Sequence, residues 1–183
     1  GNIRNITILL LVKLSFGITI NIPTDYPSIQ EGIIAAFEGD TILISRSIHY
    51  ESIDYLSKEI IIAGNFINSG TPEDIYRTII YHNGSQPTVS FGDVGQNDNA
   101  KLIGVSIYSQ NTGVQFNNTD ATLERCLLFN PIHGSGIVCY DSSPSIINCT
   151  VRGFDSAVNA DDESNPNITD YIRNIDLMSL PPN

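Results

Sequence analysis

The sequence predicts an all-β solenoid, a parallel β-helix closed at its start by a short helix. Three observations lead there: stretches of the chain that overlay, apolar columns within them, and turn residues between short β runs. Asn118–Leu128, Asp141–Val151 and Glu163–Arg173 can be laid over one another, and Lys101–Ile107 is a fainter fourth copy. Leu102, Leu123, Ile146 and Ile168 fall in one column, with steps of 21, 23 and 22 residues. Val105, Cys126, Cys149 and Tyr171 form a second column with the same steps. Ile107, Leu128 and Val151 form a third, which Arg173 breaks, and Val114, Ile137 and Ala157 form a looser fourth. A repeat this short cannot bury its own apolar face and must stack on its neighbours.

The composition fits that architecture. The 183 residues suit one domain, and 41% hydrophobic content is enough for a core. Charged residues make up only 16%, against a typical ~25%. Asn, Ser, Thr, Asp and Gly, the residues of turns, carry the polar load instead. The net charge of −11 excludes nucleic acid and anionic membranes as partners, because both require Lys and Arg to meet phosphates. It also repels polyuronates unless a cation such as Ca²⁺ bridges the two.

Along the chain, Arg4, the apolar run Ile6–Val12 and the small pair Ser15 and Gly17 give residues 1–17 two readings. They form a secretory signal peptide, flawed by Lys13, or a first capping strand. The run is too short for a spanning helix, which needs ~20 residues. Residues 18–183 form the β-helix domain, and both chain ends read as cut from a longer reading frame. Ile18–Ile22 alternates as a strand should and stops at Pro23. A helix over Ser28–Phe37 follows, with Asp25 or Ser28 as N-cap, Glu31 completing a capping box and Gly39 as the C′ residue. Its apolar face is expected to hold Ile29, Ile33, Ile34 and Phe37 and to cover the open end of the stack. Asp40–Ser45 is a buried strand. Beyond it the expected β runs are Glu59–Ala63, Thr78–Tyr81, Thr88–Phe91, Lys101–Tyr108, Gly113–Phe116, Thr122–Phe129, Gly136–Tyr140, Ser145–Val151 and Asp155–Asn159. No second helix is evident, and no pair of runs has a two-residue hairpin link.

These residues resemble a known family. Ile22–Ile44, with its Tyr26-Pro-Ser-Ile-Gln-Glu-Gly-Ile-Ile-Ala-Ala-Phe-Glu-Gly-Asp-Thr-Ile42 core, is similar to the opening of the pectin-lyase-like superfamily. Ser47–Ile53 resembles the G-x-Y-x-E-x-I that follows it there. Ser142–Val151 resembles a repeat of secreted bacterial right-handed β-helix proteins. The resemblance implies a right-handed winding and an extracellular location. It does not imply one activity, since the fold hosts lyases, hydrolases, esterases and modules without chemistry. The departures bear on chemistry. The Q-D-T-L-Y and D-F-I-F-G strings of pectin methylesterases are missing. The N-T-D, D-D and G-H-G strings of polygalacturonases survive only as Asn118-Thr-Asp120, Asp161-Asp162 and His133-Gly134, in the wrong order. Asp120 and Asp161 stand 41 residues apart. Two carboxylates acting on one glycosidic bond must lie within ~10 Å. Only Arg125, Arg152 and Arg173 are available in the repeat region as the base of a pectate lyase, and Arg125 and Arg152 do not match in any column.

Each candidate therefore has a structural reading that outweighs the chemical one. Asp120 is a turn residue. Asp161-Asp162-Glu163 is a solvated loop, with a Ca²⁺ site as the alternative. His133, between Pro131 and Gly134, is a turn histidine. Cys126, Cys139 and Cys149 lack zinc spacing and read as core. Cys126 and Cys149 sit on adjacent rungs ~4.8 Å apart. Their parallel side chains do not converge, so buried thiols are expected rather than a disulfide. Asn148 belongs to a structural amide ladder. The sequons at Asn5, Asn83, Asn117, Asn148 and Asn167 arise by chance in a chain rich in Asn and Thr, and no glycans are expected. No catalytic, cofactor or metal residue is assigned. The expected function is that of a secreted or surface-attached monomeric module, non-catalytic in this segment, binding polysaccharide along one face. The alternatives are a lyase or glycoside hydrolase whose catalytic repeats are incomplete here, and a structural stalk.

Overall fold

The computed structural model describes residues 17–92, 98–130, 133–170 and 172–173. Tyr171 and the proposed signal segment, apart from Gly17, lie outside these residues. The chain visits three parallel sheets in a fixed rotation. β1 (Thr19–Ile22) on the first sheet and α1 (Ile29–Ala35) precede the rotation, and the first full circuit holds β2 (Thr41–Ile44), β3 (Ile48–Tyr50) and β4 (Ile53–Asp54). The second holds β5 (Ile61–Gly64), α2 (Phe66–Ser69), α3 (Pro72–Arg77), β6 (Ile79–His82) and β7 (Val89–Gly92). Then come β8 (Lys101–Ile103), β9 (Ser106–Ser109) and β10 (Thr112–Asn117). The next circuit is β11 (Thr122–Glu124), β12 (Leu127–Phe129) and β13 (Ser135–Tyr140). β14 (Ser145–Ile147), β15 (Thr150–Arg152) and β16 (Ser156–Ala160) follow, and β17 (Asn167–Thr169) and β18 (Ile172–Arg173) end the series. The sheets run β1-β2-β5-β8-β11-β14-β17, β3-β6-β9-β12-β15-β18 and β4-β7-β10-β13-β16, called here the first, second and third.

Period-two alternation turns the central residue of each short strand inward. Parallel pairing then stacks like on like. In the first sheet Ile20, Ile42, Ile62, Leu102, Leu123, Ile146 and Ile168 are successive register partners. The predicted column is correct, and it extends upstream to the first strand. In the second sheet Ile80, Ile107, Leu128 and Val151 are partners, and the backbone register continues to Arg173. In the third sheet Ile53, Val89, Val114, Ile137 and Val158 are partners. The last member is therefore Val158 and not Ala157. Three residues, 153–155, join β15 to β16, where five, 130–134, join β12 to β13. The shorter link moves the register by two. Gly153 permits it, because a Cβ there would lie 1.7 Å from the Asn130 carbonyl oxygen. Two residues further along, Tyr55 stacks on Phe91 at 4.1 Å and Phe91 on Phe116 at 4.9 Å. The smaller Cys139 and Ala160 continue that row.

The long runs Lys101–Tyr108, Thr122–Phe129 and Ser145–Val151 each break into two strands on different sheets. The cause is one left-handed residue per circuit: Gly104 (φ 66°), Arg125 (φ 51°), Asn148 (φ 52°) and Asp170 (φ 51°). A single such residue turns the corner without a loop. The residue after it points inward, which is why Val105, Cys126 and Cys149 are buried. The cysteines are free thiols, and burial pushes those of Cys126 and, to about 12, Cys139 above the ordinary value.

Helix α1 is shorter than predicted, and its face is narrower. Ile29 and Ile33 are fully buried, whereas Ile34 and Phe37 are 62% and 76% exposed. Ser28 is the N-cap, and its hydroxyl accepts the Glu31 N–H at 3.2 Å. The C-cap is Ala36, so Gly39 (φ 85°) serves the following turn and not the helix. Residues of the opening motif dock this helix. The Glu51 carboxylate accepts the N–H groups of Ile29 and Gln30, both at 3.0 Å. The Gln30 amide pairs with both backbone groups of Asp54. Lys58 Nζ donates to the carbonyls of Ile33, Ile34 and Ala36. The buried Asp40 accepts from the N–H groups of Ile18 and Phe37. Helices α2 and α3 correct the expectation of a single helix. Both are too brief for their periodicity to show in the sequence, and Pro72 at the start of α3 is the one cue.

Leu123→Ala is expected to cost about 2–5 kcal/mol in urea unfolding, because the residue is fully buried at mid-column. Ile168→Ala, at a site 41% exposed, should cost well under half of that. In the native protein Cys126, Cys139 and Cys149 should resist alkylation at pH 8 and react quantitatively once unfolded, as thiol titration would report.

Candidate functional site

The corner between the third and first sheets gathers most of the predicted acidic residues. There each turn bonds the next. The Asp120 N–H donates to Asp98 Oδ1 at 2.9 Å, the Ser143 N–H to Asp120 Oδ1 at 2.6 Å, and the Asn165 N–H to Ser143 Oγ at 3.2 Å. A parallel series runs the other way. The Thr119 N–H donates to Ser142 Oγ, the Ser142 N–H to Ser164 Oγ, and the Asp141 N–H to Asp161. Hydrogen bonds from the Ser164 hydroxyl and from the Asp141, Glu163 and Ser164 backbone hold the Asp161 carboxyl below its ordinary value. Asp120 and Asp161 thus serve different hydrogen-bond series, and each accepts the backbone of a neighbouring turn. Asp162 is an exposed turn residue. His133 Nδ1 lies 3.2 Å from Asp155, whose carboxyl also accepts the Gly134 N–H. Asp98, Asp120, Asp141 and Glu163 line a shallow polar concavity. Among the described residues no group of three or more His, Cys, Asp or Glu side chains is placed to hold a metal ion.

Two surface features escaped the sequence reading. The first is on the outside of the second sheet. Tyr50, Tyr81, Tyr108 and Phe129 are successive register partners. Their ring centroids are 5.3, 4.8 and 5.5 Å apart. Tyr81 and Tyr108 stack, so they turn edges outward. Tyr50 meets Tyr81 edge-on and is 74% exposed. Beside Tyr50 lies a cleft of about 320 Å³ lined by Pro23, Pro27, Ser45, Ser47 and His49. The sequence signal was present but irregular: steps of 31, 27 and 21 residues separate the four rings.

The second feature is a cleft of about 230 Å³ where α2 and α3 overhang the corner between the first and second sheets. Arg125, Asn148, Thr150 and Arg152 form one wall, and Phe66, Pro72, Ile75 and Tyr76 the other. Arg125 and Arg152 belong to different rows, as the sequence indicated, yet both line this space. The Arg125 guanidinium stands 5.6 Å over the Phe66 ring and 3.5 Å from Glu124. A buried carboxylate anchors the helical overhang. Asp74 is paired with Arg46 and bonded by Ser69 and, at 3.2 Å, Asn65. The Arg46 hydrogen bond is the largest of the effects that lower the Asp74 carboxyl from 3.8 to about 2.

No protein-family model, curated protein or solved structure matches this chain. No described helix is long and apolar enough to cross a membrane.

Asp74 gives a signed pH dependence. A depressed carboxyl contributes stability that is complete above its unfolded value and is lost as pH falls through its folded value. The unfolding midpoint should therefore drop between about pH 4 and 2. Asp74→Asn should be less stable at pH 7 and should lose that part of the acid dependence, as urea titrations from pH 7 to pH 2 would report.

Proposed function

We propose that this chain is a right-handed parallel β-helix of the pectin-lyase-like kind, an exported monomeric module that binds neutral polysaccharide without cleaving it. The aromatic row Tyr50-Tyr81-Tyr108-Phe129 is the observation that supports this reading most. Sugar rings carry C–H faces that pack on aromatic surfaces, while their hydroxyls need polar partners at the rim. Tyr50 offers an open ring, and the phenols of Tyr81 and Tyr108 and the serines beside Tyr50 supply polar groups. The row runs from circuit to circuit, the direction in which an extended polymer would lie. A net charge of −11 disfavours polyuronates and leaves neutral chains as the better partners.

The non-cleaving part is supported by the use of the carboxylates. Asp120 and Asp161 accept backbone N–H groups of adjacent turns, which suits the rigidity of a rod. The rotation of the chain through three parallel sheets supports the solenoid, and the docking of α1 by Ser28, Gln30, Asp40 and Glu51 gives the superfamily's opening pattern a structural reason.

Affinity electrophoresis in gels cast with a panel of neutral and acidic polysaccharides tests the reading. Retardation by at least one neutral glycan is expected, with about tenfold weaker binding in Tyr50→Ala. No retardation in any gel would favour a plain spacer. Release of reducing or unsaturated ends that Asp120→Ala or Asp161→Ala abolishes would replace the reading with an enzymatic one.

A further inference from the structure

The cleft under the helical overhang has a chemistry unlike the rest of this acidic surface. Three cations elsewhere in the described chain are engaged locally. Arg46 pairs with Asp74, Arg77 with Glu73, and Lys58 holds three carbonyls of α1. Arg152, in contrast, has no ion-pair partner among the described residues. It opens into the same space as Arg125, whose one carboxylate neighbour is at 3.5 Å. Asn148 and Thr150 add an amide and a hydroxyl to that wall. The facing wall is apolar and aromatic, from Phe66, Pro72, Ile75 and Tyr76.

We propose that this cleft is a binding site for a small organic carboxylate with an apolar, single-ring body. The guanidinium fork matches a carboxylate in two hydrogen bonds, and two such forks on one wall fix its position. The rest of the ligand meets the apolar wall. The volume of about 230 Å³ is below the ~300–1,000 Å³ of drug-sized pockets, so the ligand is a one-ring acid and not an oligosaccharide. The site is separate from the aromatic row and does not depend on polysaccharide binding.

The corner geometry supplies a clean variant. Arg125 sits at φ 51°, and Asn148 occupies the equivalent corner one circuit on at φ 52°. Arg125→Asn therefore removes the charge without forcing an unsuitable residue into the left-handed region. Arg152 is exposed, so Arg152→Gln should not disturb packing. Calorimetric titration of the intact protein with phenylacetate should show binding that falls at least tenfold in each variant. It should also fall at least tenfold for 2-phenylethanol, which keeps the ring and lacks the charge, and weaken as salt rises. In wild-type protein phenylacetate should shift the amide resonances of Phe66, Tyr76 and Arg152, a readout that stands even if a variant folds poorly. Absence of phenylacetate binding would overturn the proposal. So would unchanged affinity in both variants, equal binding of 2-phenylethanol, or displacement of phenylacetate by inorganic phosphate at equal concentration.

Discussion

Lateral hydrogen bonding between equivalent strands in register is the constraint on which the rest of the structure depends. Each strand is only two to six residues long and has little stability of its own. Pairing with its copy one circuit away satisfies its backbone and, because the pairing is parallel and unshifted, sets like side chain on like. Isoleucine falls on isoleucine in the first sheet, aromatic on aromatic in the third, and turn acceptor on turn donor at the corner with Asp120. A one-residue slip would turn every buried side chain of a strand outward, so the columns specify the register as much as they result from it.

The same constraint explains what could be read from the sequence. Leu102, Leu123 and Ile146 were legible because two successive circuits are nearly equal in length and nothing interrupts them. Cys126 and Cys149 were legible for the same reason. The second circuit was harder, since α2, α3 and the link from His82 to Thr88 stretch the step from Ile62 to Leu102 to 40 residues, and a periodic search loses the upstream column and the Tyr50-Tyr81-Tyr108-Phe129 row there. Ala157 was misplaced by one residue, since the shortened circuit makes the step from Ile137 21 residues and not 20, and a one-residue error in a strand selects the opposite face. Ile34 and Phe37 were misassigned because α1 contacts the stack through a stripe narrower than its apolar content suggests. The corners at Gly104, Arg125 and Asn148 interrupt no β run, since one left-handed residue turns each of them without a loop or a Pro.

The acidic residues illustrate a further limit. Asp120, Asp161 and Asp162 looked like fragments of catalytic strings, and sequence could weigh them only by order and distance. The structure gives two of them definite partners, which are the backbone N–H groups of adjacent turns. Arg125 and Arg152 went the opposite way. They matched no common column and looked scattered, yet both line the cleft beside an overhang anchored through Asp74.

The row of left-handed corners has a consequence for how such a chain can change. Gly104, Arg125, Asn148 and Asp170 share one backbone role, which Gly, Asn and Asp adopt most readily and which Arg125 shows is open to a long side chain. What is held fixed there is a dihedral angle, so chemistry at the edge can vary while the aliphatic interior one residue away stays the same. A stack of this kind separates its heritable scaffold from its displayed surface. New recognition could arise by rewriting a single line of corner positions, with each circuit contributing one independently replaceable group.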